Sequence, residues 1–99
     1  MGEYWKPINL TKREYIHPHD LDCGLKLGEW NWPGSSVTKL INERWSPTDM
    51  VVAVSDYENV LVLRGDPPPD KIPDYDAIGY HRVKAVNDPP PAVRRSGSR

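Results

Sequence analysis

Met50-Val51-Val52-Ala53-Val54-Ser55-Asp56-Tyr57-Glu58-Asn59-Val60-Leu61-Val62-Leu63 decides the fold. Its two apolar runs are rich in β-branched residues and have the length of strands rather than helices. Between them, Asp56-Tyr57-Glu58-Asn59 has the residues of a four-residue hairpin loop. Asp56 and Asn59 suit bonds to their own backbone, and Tyr57 suits a place over the hairpin end. Residues 50–63 therefore read as the central hairpin of a small antiparallel sheet.

Just before the hairpin, Pro33-Gly34-Ser35-Ser36 reads as a turn and a helix N-cap. Val37, Leu40, Ile41 and Trp45 follow at i, i+3, i+4 and i+8, one apolar face of a helix over about 36–45. Pro47 ends it, because its ring disfavours helical geometry at Ser46. A hairpin packed by one helix makes the fold class α+β. Gly24 to Trp30 fits two patterns: alternating leucines favour a strand, while one helical turn also brings Leu27 and Trp30 together. Tyr4 to Leu10 alternates as a strand does, and Pro7, which cannot donate to a ladder, assigns it to an edge. Thr11 to Ile16 reads as a turn and a short extended piece, broken by His17-Pro18-His19-Asp20.

After the hairpin, Asp66 to Pro73 is proline-rich and is expected to cross the surface as a polyproline-like connection. Ile78 to Val86 offers another strand with Tyr80 and Val83 facing inward. From Asn87 onward Pro, Arg, Ser and Gly dominate, so the expected organisation is one domain over 1–86 and a flexible tail over 87–99.

Asn9-Leu10-Thr11-Lys12-Arg13-Glu14-Tyr15-Ile16, then Gly24-Leu25-Lys26-Leu27 with Glu29, then Trp45 ahead of Asp49 and Val52-Ala53-Val54-Ser55-Asp56-Tyr57 make up a pattern over residues 4–57. It resembles a loose group of small uncharacterised proteins, bacterial or viral, with an aromatic N-terminal strand. Pro47 and Thr48 stand where that pattern has Gly, and Trp30 to Gly34 is an addition. The resemblance implies a shared small α+β fold and carries no activity with it.

Ninety-nine residues accommodate one core. Hydrophobic residues make up 37% and charged residues 27%, and mean hydropathy is -0.69, which is lean but globular. Phe is absent, so four Trp and five Tyr carry all the aromatic mass, each with a polar N–H or O–H that suits half-buried positions and interfaces. The single cysteine, Cys23, excludes an intramolecular disulfide and a four-cysteine zinc site, and points to a reducing cytoplasm. Met1 to Pro7 has no signal-peptide pattern, and Lys6 stands where a myristoylation motif needs Ser or Thr. The longest apolar run, Met50 to Val54, is far short of the roughly 20 residues that span a bilayer. A cytoplasmic protein without a membrane partner is expected.

Net charge is -1 but unevenly spread. Residues 49–76 hold Arg64 and Lys71 against Asp49, Asp56, Glu58, Asp66, Asp70, Asp74 and Asp76, whereas 77–99 hold five basic residues against Asp88 alone. The acidic third reads as a solvated loop or as a face for a basic partner. Residues 1–88 carry ten basic and fourteen acidic side chains, which argues against nucleic acid as a partner despite the tail's Arg94, Arg95 and Arg99.

His17-Pro18-His19-Asp20-Leu21-Asp22-Cys23 is the one cluster of metal-ligand residue types. On an extended chain His17 and His19 face the same way, Asp22 or Cys23 could add a third ligand and His81 a fourth. No second Cys or His pair follows at zinc-finger spacing, and Asp20 and Asp22 equally suit backbone capping in a turn. Ser55 lacks the glycine-flanked elbow of a nucleophile, and Gly24 to Gly28 lacks the spacing and the Lys-Ser/Thr ending of a phosphate loop. Trp30-Asn31-Trp32-Pro33-Gly34 places two tryptophans where both cannot easily reach one small core, and exposed Trp and Tyr are preferred interface anchors.

The expectation is a non-catalytic module that binds another protein, as a small accessory or inhibitor-type protein, through Trp30, Trp32, Asp56, Tyr57 and Glu58, with no cofactor and no metal. The alternatives are a metal-dependent hydrolase using the His17 to Cys23 cluster and a nucleic-acid binder using Trp, Tyr and the arginine-bearing tail.

Overall fold

The computed structural model describes residues 2–89. Strands β1 (Trp5–Asn9) and β2 (Glu14–Tyr15) are followed by a 3-10 turn over Pro18–Leu21, a one-turn helix α1 (Leu27–Trp30) and helix α2 (Ser36–Arg44). Strands β3 (Val51–Ser55) and β4 (Val60–Arg64), a second 3-10 turn over Pro69–Lys71 and strand β5 (His81–Arg82) complete the order. The five strands form one sheet in the order β4-β3-β1-β2-β5. All pairs are antiparallel except β2 with β5, which makes the sheet mixed and the fold α+β.

The expected helix forms where its apolar face required, with Ser35 Oγ accepting from Thr38 N at 3.0 Å as N-cap. Val37, Leu40, Ile41 and Trp45 are buried against one face of the sheet, with Val51, Ala53, Ile16, Val83 and Trp30. On the other face Ile8, Val52 and Val54 are covered by the chain from Ile72 to Tyr80 rather than by a helix. Lys6 holds that cover: its ammonium donates to the Tyr75 carbonyl at 3.1 Å and lies 4.1 Å from the Tyr75 ring centre. Burial, opposed by the Asp76 charge, draws the Lys6 pKa below its ordinary value.

Four expectations are corrected. The strand carrying Pro7 is not an edge but the centre of the sheet. Trp5 N donates to Leu25 O and Pro7 O accepts from Ile16 N, so odd-numbered residues of β1 turn their backbone groups toward the β2 side. The donor that Pro7 lacks is missing where β2 is already leaving, and the stretch beyond is covered by Leu25 and by Trp30 Nε1, which donates to Trp5 O at 3.1 Å. A proline is tolerated centrally because its vacant ladder position coincides with the end of the neighbouring strand.

Second, the four expected residues, Asp56 to Asn59, do separate β3 from β4, but Asn59 is bonded across the hairpin and only three turn freely. Asn59 O accepts from Ser55 N, Ser55 O accepts from Glu58 N, and Glu58 is left-handed at φ 67, the turn-plus-bulge geometry of three-residue hairpins. Third, the strand expected over Ile78 to Val86 shrinks to His81–Arg82, because Ala77 (φ 50) and Gly79 (φ 88) turn the chain just before it. Val83 is buried as expected, and Tyr80 is half-buried beneath Arg13. Fourth, the proline-rich connection is not uniformly extended, since a 3-10 turn interrupts it and Pro67 is buried. The Gly24 to Trp30 ambiguity resolves into both forms. Leu25 and Lys26 run extended beside β1, and Leu27 then starts the helical turn with Glu29 Oε1 accepting from Lys26 N.

The expected tail begins at Asn87, and residues 90–99 lie outside the described residues. Within them, Arg44 Nη1 donates to the carbonyls of Ala85, Val86 and Asp88, so the chain is tied to α2 as far as Asp88. Among the described residues no helix is long and apolar enough to cross a membrane.

Candidate protein interface

The five residues expected to bind a partner separate into one buried and four exposed. Trp30 is fully buried, which corrects its place among the expected partner-binding residues. Its ring fills the helix-side core and its N–H is taken by Trp5 O, so it cannot touch a partner without unfolding α1. Trp32, two residues on, is 47% exposed, with Nε1 donating back to Glu29 O at 3.2 Å. Asn31, the C-cap between them, leaves helical geometry and turns the second ring outward. Trp32 forms one wall of a shallow apolar groove of about 310 Å³, with Ile41 of α2 and Leu63 and Arg64 of β4 on the other side.

Asp56, Tyr57 and Glu58 make the hairpin loop, at the opposite end of β4 from the groove. Tyr57 is 63% exposed. Asp56 is committed to the fold, because its Oδ1 accepts from Tyr4 N at 2.9 Å and its own N–H donates to Tyr4 O. Asp56 and Glu58 also border a cleft of about 230 Å³ with Asp74, Tyr75 and Asp76. Burial, and then the charges of Asp56 and Asp76, push the Tyr75 phenol above its ordinary pKa, so this corner is electronegative.

Between the groove and the loop lies β4 itself, which the sequence did not single out. Val60, Leu61 and Val62 are 44%, 38% and 49% exposed. Leu61 lies opposite Ala53 on the helix side, whereas Val60 and Val62 lie opposite Val54 and Val52 on the other face. Neither cover reaches this far: α2 stops at Leu63, and the 72–80 chain sits over β1 and β3. Among the described residues no segment after Gly65 returns to pair with β4, and the apolar run by itself reads the same whether or not it is covered.

The metal-ligand residue types do not converge. Asp20 accepts from Arg82 Nε and Nη2, both at 2.7 Å, and His17 Nδ1 accepts from His19 N. Burial and the Arg82 charge hold the His17 imidazole below its ordinary pKa. His81 sits in β5 opposite Glu14, its Nε2 buried and without a hydrogen-bond partner among the described residues. Among the described residues no three His, Cys, Asp or Glu side chains come together in a way that could hold a metal ion. Ser55 is buried and its Oγ accepts from Tyr57 N and Asn59 N, a loop-closing role.

No family model, no curated protein and no solved structure matches the chain.

Proposed function

We propose that the protein is a non-catalytic protein-binding module, of the small accessory or inhibitor type, that engages its partner along the β4 edge between Tyr57 and Trp32. The observation that carries this reading is the edge itself. Among the described residues nothing pairs with the outer side of this five-residue strand, apolar side chains are exposed on both of its faces, and its one charge, Arg64, stands at the end. Soluble proteins normally blunt such an edge with charge, proline or a covering segment. An open edge offers a partner main-chain hydrogen bonds for affinity and alternating side chains for selectivity. At its ends Trp32 and Tyr57 supply the aromatic anchors that dominate binding energy at interfaces.

The test is co-precipitation from cells of the source organism with wild-type, Trp32→Ala and Val62→Lys protein. The expected result is a protein partner retained by wild type, weakened by about 2 kcal/mol or more in Trp32→Ala and lost in Val62→Lys, with unchanged melting temperatures. A partner held equally by all three would overturn the reading.

A further inference from the structure

We propose that His17 is a proton-operated catch on the β5 edge: a proton taken up from water at Nδ1 uncaps the 3-10 turn over Pro18–Leu21 and loosens the grip of Asp20 on Arg82. The catch lies at the opposite edge of the sheet from β4 and acts whether or not β4 binds a partner.

The hydrogen bond that closes the turn fixes which form of the ring it needs. His17 is extended, at φ -96 and ψ 113, and caps the turn by accepting from His19 N on Nδ1 at 3.3 Å. A ring nitrogen that accepts carries no hydrogen, so the neutral ring bears its one hydrogen on Nε2. The imidazolium bears a hydrogen on both nitrogens, which sets Nδ1–H against His19 N–H, donor against donor. Charge presses the same way from three elements. Arg82 of β5, Lys6 of β1 and, once charged, His19 on the turn itself oppose a positive ring at position 17, and of these neighbours only Asp20 favours one. The two imidazole centres are 5.1 Å apart, and both oxygens of Asp20 are already engaged by Arg82. Burial, then the Arg82 and Lys6 charges, keep the His17 pKa in the closed turn below its ordinary value. With the turn open the ring returns to water and to about 6.5. The open form therefore binds the proton more tightly, and acid shifts the turn toward it as pH falls through about 6.5, ahead of the carboxylates.

The turn joins the sheet edge to the core. Pro18 is buried, and Leu21 and Cys23 pack against the helix-side core. Cys23 N donates back to Pro18 O at 3.0 Å, a bond that lasts only while the turn keeps its shape. Asp20 holds Arg82, and β5 is just two residues long, attached by His81 N donating to Arg13 O and Val83 N to Tyr15 O. Glu14 stays anchored to Arg44 and Trp45, so β2 keeps its place when β5 lets go. An uncapped turn therefore frees the Cys23 amide and the β5 amides together and leaves the outer side of β2 open.

Hydrogen exchange of the full chain, followed by NMR at about pH 7.5 and about pH 5.5 with each amide rate divided by its intrinsic rate, tests this. In wild type the opening constants of the Cys23 and Val83 amides are expected to rise toward a limit of about tenfold, the effect of one proton bound about a unit below the open-state pKa, and to stay above those of β3. His17→Asn, whose side-chain oxygen still caps but does not titrate, keeps both amides as protected at the lower pH as at the higher. His17→Ala, with no cap, opens both to the same extent at either pH. His19→Asn keeps the wild-type rise. A rise that survives in His17→Asn, its absence in wild type, or Cys23 and Val83 amides that open only together with β3 each overturn the proposal. The ring nitrogen shifts of wild type give a second reading that needs no variant: neutral His17 is expected as the Nε2–H tautomer, and a hydrogen found on Nδ1 overturns the proposal as well.

Discussion

The two edges of the sheet are built in opposite ways. At the β5 edge the strand is two residues long and the chain closes over itself. Arg82 is clamped by both oxygens of Asp20, and Arg44 grips both oxygens of Glu14 while donating to three carbonyls of the segment after β5. Trp45 Nε1 adds a third hydrogen bond to Glu14 at 2.8 Å. At the β4 edge there are five residues and three exposed aliphatic side chains, and among the described residues the strand's polar side-chain contacts are those of Arg64 at its end, to Ser46 O and Asn42 Oδ1. One edge is finished by polar contacts made within the chain, and the other is left as an apolar template. The contrast separates what holds this protein together from what it offers to others.

Removing Glu14 breaks the closed edge. Glu14→Ala leaves Arg44 buried without its carboxylate and Trp45 without its acceptor, which is expected to cost about 3–5 kcal/mol. A thermal melt checks it, and a drop of only a few degrees would show that the edge is held by something else. Trp30→Ala belongs to the same class, roughly 3–5 kcal/mol, since it empties the helix-side core and uncovers the gap beside β1. Trp32→Ala, two residues away, should cost about 1 kcal/mol or less because half of that ring is already in water. Equal losses in the two tryptophan variants would contradict the divergence of their side chains.

Acid sharpens the comparison. Burial pushes the Glu14 and Asp49 carboxyls up, but for Glu14 the Arg44 and Trp45 hydrogen bonds, and for Asp49 those from Lys12, Asn9 and Ser46, bring each below its ordinary value. Asp20 is lowered chiefly by its hydrogen bonds to Arg82. A carboxylate whose folded pKa is depressed adds stability that is fully present above its unfolded value, about 4, and is lost as pH falls through that value toward the folded one. Stability should therefore begin to decline as pH falls through about 6.5, where the unfolded chain protonates His17 first, and fall more steeply below about pH 5 as the carboxylates follow. Hydrogen exchange is expected to show the amides of His81 and Val83, which bond to Arg13 O and Tyr15 O, opening before those of β3. Simultaneous loss would mean the closed edge is not the acid-sensitive one.

The smallest expected effect is on stability at the open edge. Val62→Lys should change the melting free energy by no more than about 0.5 kcal/mol while abolishing association. Asp20→Ala, at the opposite edge, should cost up to about 1 kcal/mol, because the Arg82 side chain is 42% exposed and the pair is partly screened by water, and should leave association untouched.

Much of this was legible in the residues. The hairpin at 50–63 and the helix at 36–45 follow from β-branched runs, a polar loop and apolar spacing, all of which act within a few residues. The candidate interface was legible only in part. Trp32 and Tyr57 stood out as large rings in turns, but Val60 to Val62 looked like core, because an apolar strand has the same local pattern whether or not a neighbour covers it. Trp30 and Trp32 were indistinguishable until the helical turn before Asn31 sent one ring inward and the other out.

The chain by itself determined the elements whose causes are local: Ser35 capping a helix, Pro47 ending one, and two β-rich runs joined by a turn. Only the tertiary structure decided their order in space. Whether the strand of Pro7 is central, whether β4 is an edge, and whether Glu14 meets Arg44 all depend on contacts between residues that are distant in sequence. Closing such contacts is driven by burial and by the pairing of backbone groups across the whole sheet, and no short window of sequence contains both partners.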